Sequence, residues 1–134
     1  MGFLLFEVVN THSLSHSLII YSFRPELAES YFVLWRLTHN PKYREQAWQL
    51  AVAIERYCKT ESGKYARSID LQQTSISKDD YQPPNFLSAT LKYLYLTFTD
   101  DTVLPLDQWT FNAVGHPLPV CGKNKAYPKE WCSL

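Results

Sequence analysis

From Pro25 onward the apolar residues fall at the three- and four-residue spacing of a helix face. Leu27, Tyr31, Leu34 and Trp35, widened by Ala28 and Phe32, predict a helix over 25–39. Pro25 suits the first turn, where its missing N–H is not needed, and Glu26 and Glu29 lie at the positive end of the helix dipole. Asn40-Pro41 ends the element, because a residue before proline is pushed out of the helical region and Asn caps the next helix. That second helix, over 41–59, buries Ala47, Leu50, Ala51, Ile54, Tyr57 and Cys58. So short a connection makes the two helices antiparallel neighbours.

On either side of this pair the pattern changes. Residues 1–23 carry no helical period, and Leu18-Ile19-Ile20-Tyr21 reads as a short strand or an extended lead-in. Residues 60–84 read as loop, with a strand at 64–69. The third predicted helix, 85–99, is apolar around nearly its whole circumference. Phe86, Leu87, Leu91, Tyr93, Leu94, Tyr95, Leu96 and Phe98 predict protein contact on more than one side. Asp100-Asp101 ends it, and a short extended piece comes next at 109–112. Pro117 and Pro119 predict irregular chain, and residues 121–134 a loosely ordered, basic tail.

Composition removes several classes of function. With 46% hydrophobic and 15% aromatic residues, the 134-residue chain has the material of a core and not that of a disordered segment. Thirteen Lys and Arg balance thirteen Asp and Glu, so the basic excess expected of a nucleic-acid binder is missing. No run approaches the ~20 apolar residues of a membrane span. The apolar run at 3–6 has no basic residue before it and no small-residue cleavage site after it, so no signal peptide is expected. Cys58, Cys121 and Cys132 form no Cys-x-x-Cys pair, which argues against zinc. A Cys121–Cys132 disulfide would need an oxidising compartment, and three unpaired thiols are the simpler reading.

Four blocks stand in a telling order. They are Tyr21-Ser22-Phe23-Arg24-Pro25-Glu26 with Glu29-Ser30; Asn40-Pro41-Lys42-Tyr43-Arg44-Glu45; Ala89-Thr90-Leu91-Lys92-Tyr93-Leu94-Tyr95-Leu96; and Leu106-Asp107-x-Trp109-x-Phe111-Asn112 leading to His116-Pro117-Leu118-Pro119. Together they resemble the C-terminal part of the class I α-1,2-mannosidases, glycoside hydrolase family 47. The resemblance covers 21–120 and implies a mainly α fold: the last helices and the C-terminal β-hairpin of an (α/α)7 barrel. It divides the chain into an atypical segment 1–20, a barrel portion 21–120 and a flexible tail 121–134. The chain then reads as a slice of a larger domain.

The resemblance also implies chemistry. Such enzymes remove α-1,2-linked mannose from high-mannose N-glycans in the endoplasmic reticulum or Golgi lumen, with calcium and with inversion. Inversion needs one carboxyl group to protonate the leaving oxygen and a second, about 6.5–9.5 Å away, to activate water. By position, Glu26 matches the catalytic base, Arg24 a substrate-contacting arginine, Glu29 a further pocket carboxylate and His116 the histidine of the hairpin motif. Other positions depart from the family. Pro83 and Ala89 stand for glutamates, Asn85 for a sugar-stacking phenylalanine, and Ala113-Val114-Gly115 for Thr-Glu-Ala. The threonine holds calcium through its hydroxyl and its carbonyl, and Ala113 offers the carbonyl alone. Calcium takes six to eight oxygens, so weak or absent binding is expected.

Without the resemblance, Glu26 and Glu29 read as first-turn acids worth about 0.3–1 kcal/mol. Tyr31, Trp35 and Trp48 read as core, Trp109 and Phe111 as hairpin packing, and His12, His16 and His39 as surface. Because Glu26 and Glu29 share one helix face, the chain by itself is expected to be inactive. The alternative is a non-catalytic remnant that binds glycan or a partner. A helical-repeat interaction module is disfavoured, since the first helix pair is not repeated along the chain.

Overall fold

The structure, a computed structural model, describes residues 20–21, 25–66, 68–69, 77–78 and 81–132. Arg24, His12 and His16 lie outside the described residues. The fold is mainly α with a C-terminal hairpin. Helix α1 spans Glu26–Thr38 and α2 spans Pro41–Cys58. Between them the Asn40 side chain accepts from Lys42 N at 3.1 Å and Pro41 opens α2, as the sequence predicts. His39 ends α1 in the left-handed region at φ 50. Its ring lies 3.3 Å from an Asp101 oxygen.

Strands β1 (Ile20–Tyr21), β2 (Ser68–Ile69) and β3 (Ser77–Lys78) form an antiparallel sheet in that order. Of the expected strand at 64–69, the described residues show β2 and a bridge between Lys59 and Tyr65. Tyr65 and Lys59 both donate to Glu55, which fastens this loop to the end of α2. Those two bonds also hold the Glu55 carboxyl below its usual range.

The third predicted helix is two elements. Phe86–Leu91 is a π-helical turn, and α3 spans Lys92–Phe98. One face of this run enters the core. Phe32, Phe86, Tyr93 and Leu96 are fully buried, and the Phe32 and Tyr93 rings stand 5.6 Å apart. The opposite face stays bare, with Leu87 59% and Tyr95 66% exposed. Trp48 corrects its reading as core: it is 57% exposed and meets the Phe98 ring only edge-on, at 6.0 Å. Among the described residues no helix is long and apolar enough to cross a membrane.

The C-terminal hairpin pairs β4 (Trp109–Phe111) with β5 (Pro117–Pro119). Prolines 117 and 119 do not make this stretch irregular, as their presence predicts, because both stand at alternate positions facing away from the ladder. The neighbouring residues carry its bonds: Val120 N donates to Gln108 O at 2.8 Å, and Asn112 N to His116 O at 3.1 Å. Phe111 anchors the hairpin, 5.8 Å from the Phe32 ring and 5.4 Å from that of Tyr93. Beyond it the chain turns back on itself. Gly122 N donates to Tyr127 O at 2.9 Å, and the Asn124 side-chain oxygen accepts from Ala126 N at 2.9 Å. The reading of three thiols is thereby corrected. These turns bring Cys121 and Cys132 to a Cα separation of 5.9 Å, and the two form a disulfide, while Cys58 is buried in the core.

Candidate functional site

Glu26 and Glu29 stand on the first turn of α1, directly after Pro25. Pro25 O accepts from Glu29 N at 2.8 Å, which fixes the direction in which the helix starts. Glu26 is exposed, and Glu29, three residues on, is half-buried. One further turn along the same face lies Phe32, whose ring packs on that of Tyr93. The Tyr93 hydroxyl is buried without a hydrogen bond of normal geometry. Burial, and after it the neighbouring Glu29 carboxylate, pushes its ionisation up to about 12.

The second cluster lies at the hairpin tip, where Ala113 and His116 are both exposed. Asn112 organises the turn. Its side-chain oxygen accepts from Val114 N at 3.1 Å and His116 N at 2.9 Å, and its backbone oxygen from Gly115 N at 2.9 Å. Lys92, at the start of α3, donates through Nζ to Gly115 O at 2.6 Å. Gly115 itself is buried at φ 77. A Cβ there would stand 2.7 Å from Ser88 O and 2.8 Å from Ala89 Cβ, so the tip seats directly on the π turn. Sequence reasoning missed Lys92, Asn112 and Tyr93 as parts of the site. The signal available for Asn112 was its place three residues before a glycine, a common turn arrangement.

The π turn and the residues just before it carry further substituted positions. Pro83 and Ala89 are buried, and Asn85 Oδ1 is buried without a hydrogen-bond partner. Ala113 supplies a carbonyl, and no group of three His, Cys, Asp or Glu side chains that could hold a metal ion occurs among the described residues.

Comparison with known proteins places these positions in a family. The family model for glycosyl hydrolase family 47 matches residues 10–120, reaching further toward the N-terminus than the four sequence blocks. The chain is 50% identical over 121 residues to mannosyl-oligosaccharide alpha-1,2-mannosidase IA of Drosophila melanogaster, covering 90% of this chain and 18% of that protein. It is 48% identical over 104 residues to mannosyl-oligosaccharide 1,2-alpha-mannosidase IA of Sus scrofa, covering 78% of this chain and 16% of that protein. For form IB of Homo sapiens the identity is 49% over 100 residues, covering 75% and 15%. The chain thus spans less than a fifth of the length of each of these relatives. With most of its residues inside the family model, and with the helix start, helix turn and hairpin of the resemblance all formed, the chain belongs to glycosyl hydrolase family 47.

Proposed function

We propose that this chain supplies one wall of a site for α-1,2-linked mannose of high-mannose N-glycans, and that by itself it hydrolyses no glycosidic bond. In this reading Glu26 is the base-side carboxylate, and Glu29 and Arg24 contact the sugar. The observation that carries it is the placement of Glu26 and Glu29 three residues apart on one turn of α1. Two carboxyls on one helix turn face the same side, whereas inversion needs an acid and a base on opposite sides of the scissile bond. Calcium is not required for this recognition. The endoplasmic reticulum or Golgi lumen is the proposed compartment, and the Cys121–Cys132 disulfide supports it, because such bonds persist where the redox poise is oxidising.

Titrating the chain with α-1,2-mannobiose while following backbone amide resonances tests the recognition. The expected result is saturable shifts centred on residues 26–30, with a Kd of about 1–10 mM, or about −3 to −4 kcal/mol. Glu26→Gln and Glu29→Gln should each weaken them. A spectrum that does not move at several times that concentration would overturn the proposal.

A further inference from the structure

The contact between the hairpin tip and α3 has a consequence beyond glycan recognition and independent of it. The Lys92 side chain is half-buried, and its ammonium reaches Gly115 O at 2.6 Å, the short distance of a charge-assisted bond. The other hydrogen bonds of the tip among the described residues are internal to the turn: Val114 N and His116 N donate to the Asn112 side chain, and Gly115 N to the Asn112 backbone oxygen. Gly115 is held in the left-handed region against Ser88 O and Ala89. The Lys92 bond is the charged link by which α3 grips this turn. A cation is thus already bonded to a tip carbonyl, two residues from Ala113, and it is one of the chain's own side chains.

We propose that Lys92 is the positioning residue of the hairpin tip, its ammonium holding the Gly115 carbonyl so that the 112–116 turn keeps its geometry with no bound metal. Asn112 shapes the turn, Gly115 permits its close approach to the π turn, and Lys92 fixes it to α3. The proposal needs no further ligand, because donor and acceptor both belong to this chain.

Amide hydrogen exchange of the 134-residue chain, measured with calcium chloride and with EDTA, gives the test. In the unsubstituted protein the amides of Val114 and His116 should exchange at rates within about twofold in the two buffers. Lys92→Met should speed both by about tenfold or more, leaving amides in the middle of α2 unchanged, and Lys92→Arg should restore most of the protection. Unchanged tip exchange in Lys92→Met would overturn the proposal. So would a calcium-dependent slowing of tip exchange in the unsubstituted chain. That arm needs no variant, so it decides the matter even if Lys92→Met does not fold.

Discussion

Replacing Arg36 by methionine is expected to lower the unfolding free energy by about 3 kcal/mol, the largest loss from any single polar side chain here. The Arg36 side chain is only 3% exposed. Its NH1 donates to Asp101 O at 2.9 Å, and its NH2 to Leu96 O and Val103 O, each at 3.1 Å, and to Asp100 O at 3.3 Å. Nε lies 3.2 Å from an Asp101 carboxylate oxygen, and the guanidinium covers the Phe32 ring at 5.1 Å. One planar group thus bonds the Leu96 carbonyl near the end of α3 and three carbonyls of the loop after it, and ties them to α1. It also holds the loop in which Leu104 sits at φ 51, a conformation costing about 1–2 kcal/mol for an L residue. Burial pulls the guanidinium pKa down, and Asp101 and Asp100 push it back up. Methionine keeps the contact with Phe32 and removes every donor. Lysine should recover little, because a single ammonium cannot reach carbonyls spread over the loop. Urea unfolding of the three proteins measures this, and a loss below about 1 kcal/mol would mean that water replaces the guanidinium without penalty.

Gly115→Ala is expected to cost about 2–4 kcal/mol. Left-handed backbone contributes about 1–2 of this, and overlap of the new methyl with Ser88 O and Ala89 the remainder. The overlap is with backbone and with a fully buried side chain, so relief requires the hairpin tip to lift from the π turn. Gly63 is the natural control. It has φ 81, and a methyl group added there would have nothing within 4 Å, so Gly63→Ala should cost only the backbone share, about 1 kcal/mol. Thermal melts of the two variants check the difference. Equal destabilisation would mean that the tip does not seat on Ser88 and Ala89.

The legible part of the sequence was local. The start of α1 at Pro25-Glu26 and the break at Asn40-Pro41 depend on residues within one turn of each other, and both form as predicted. The split of 85–99 into a π turn and α3 was not legible, because the apolar pattern records which positions are buried and not which carbonyl each N–H reaches. Pro117 and Pro119 misled for a similar reason: whether a proline breaks a strand depends on which edge it faces, and that depends on register. The clamp at Arg36 was not legible, because only the return of the chain at 96–103 brings its acceptors to it. Of the candidate site, Glu26 and Glu29 were legible only through the family resemblance, since by themselves they read as first-turn acids of a helix. Lys92 was not legible, since its partner lies 23 residues away on the hairpin.

The most direct measurement is mannose release. The chain is incubated with α-1,2-mannobiose, with and without calcium, and free mannose is quantified against buffer and against Glu26→Gln. With both candidate carboxylates on one turn of α1, the expected result is no release above buffer in any arm. Calcium-dependent release that Glu26→Gln abolishes would contradict it, and would mean that Glu26 works with a second carboxylate placed across the scissile bond.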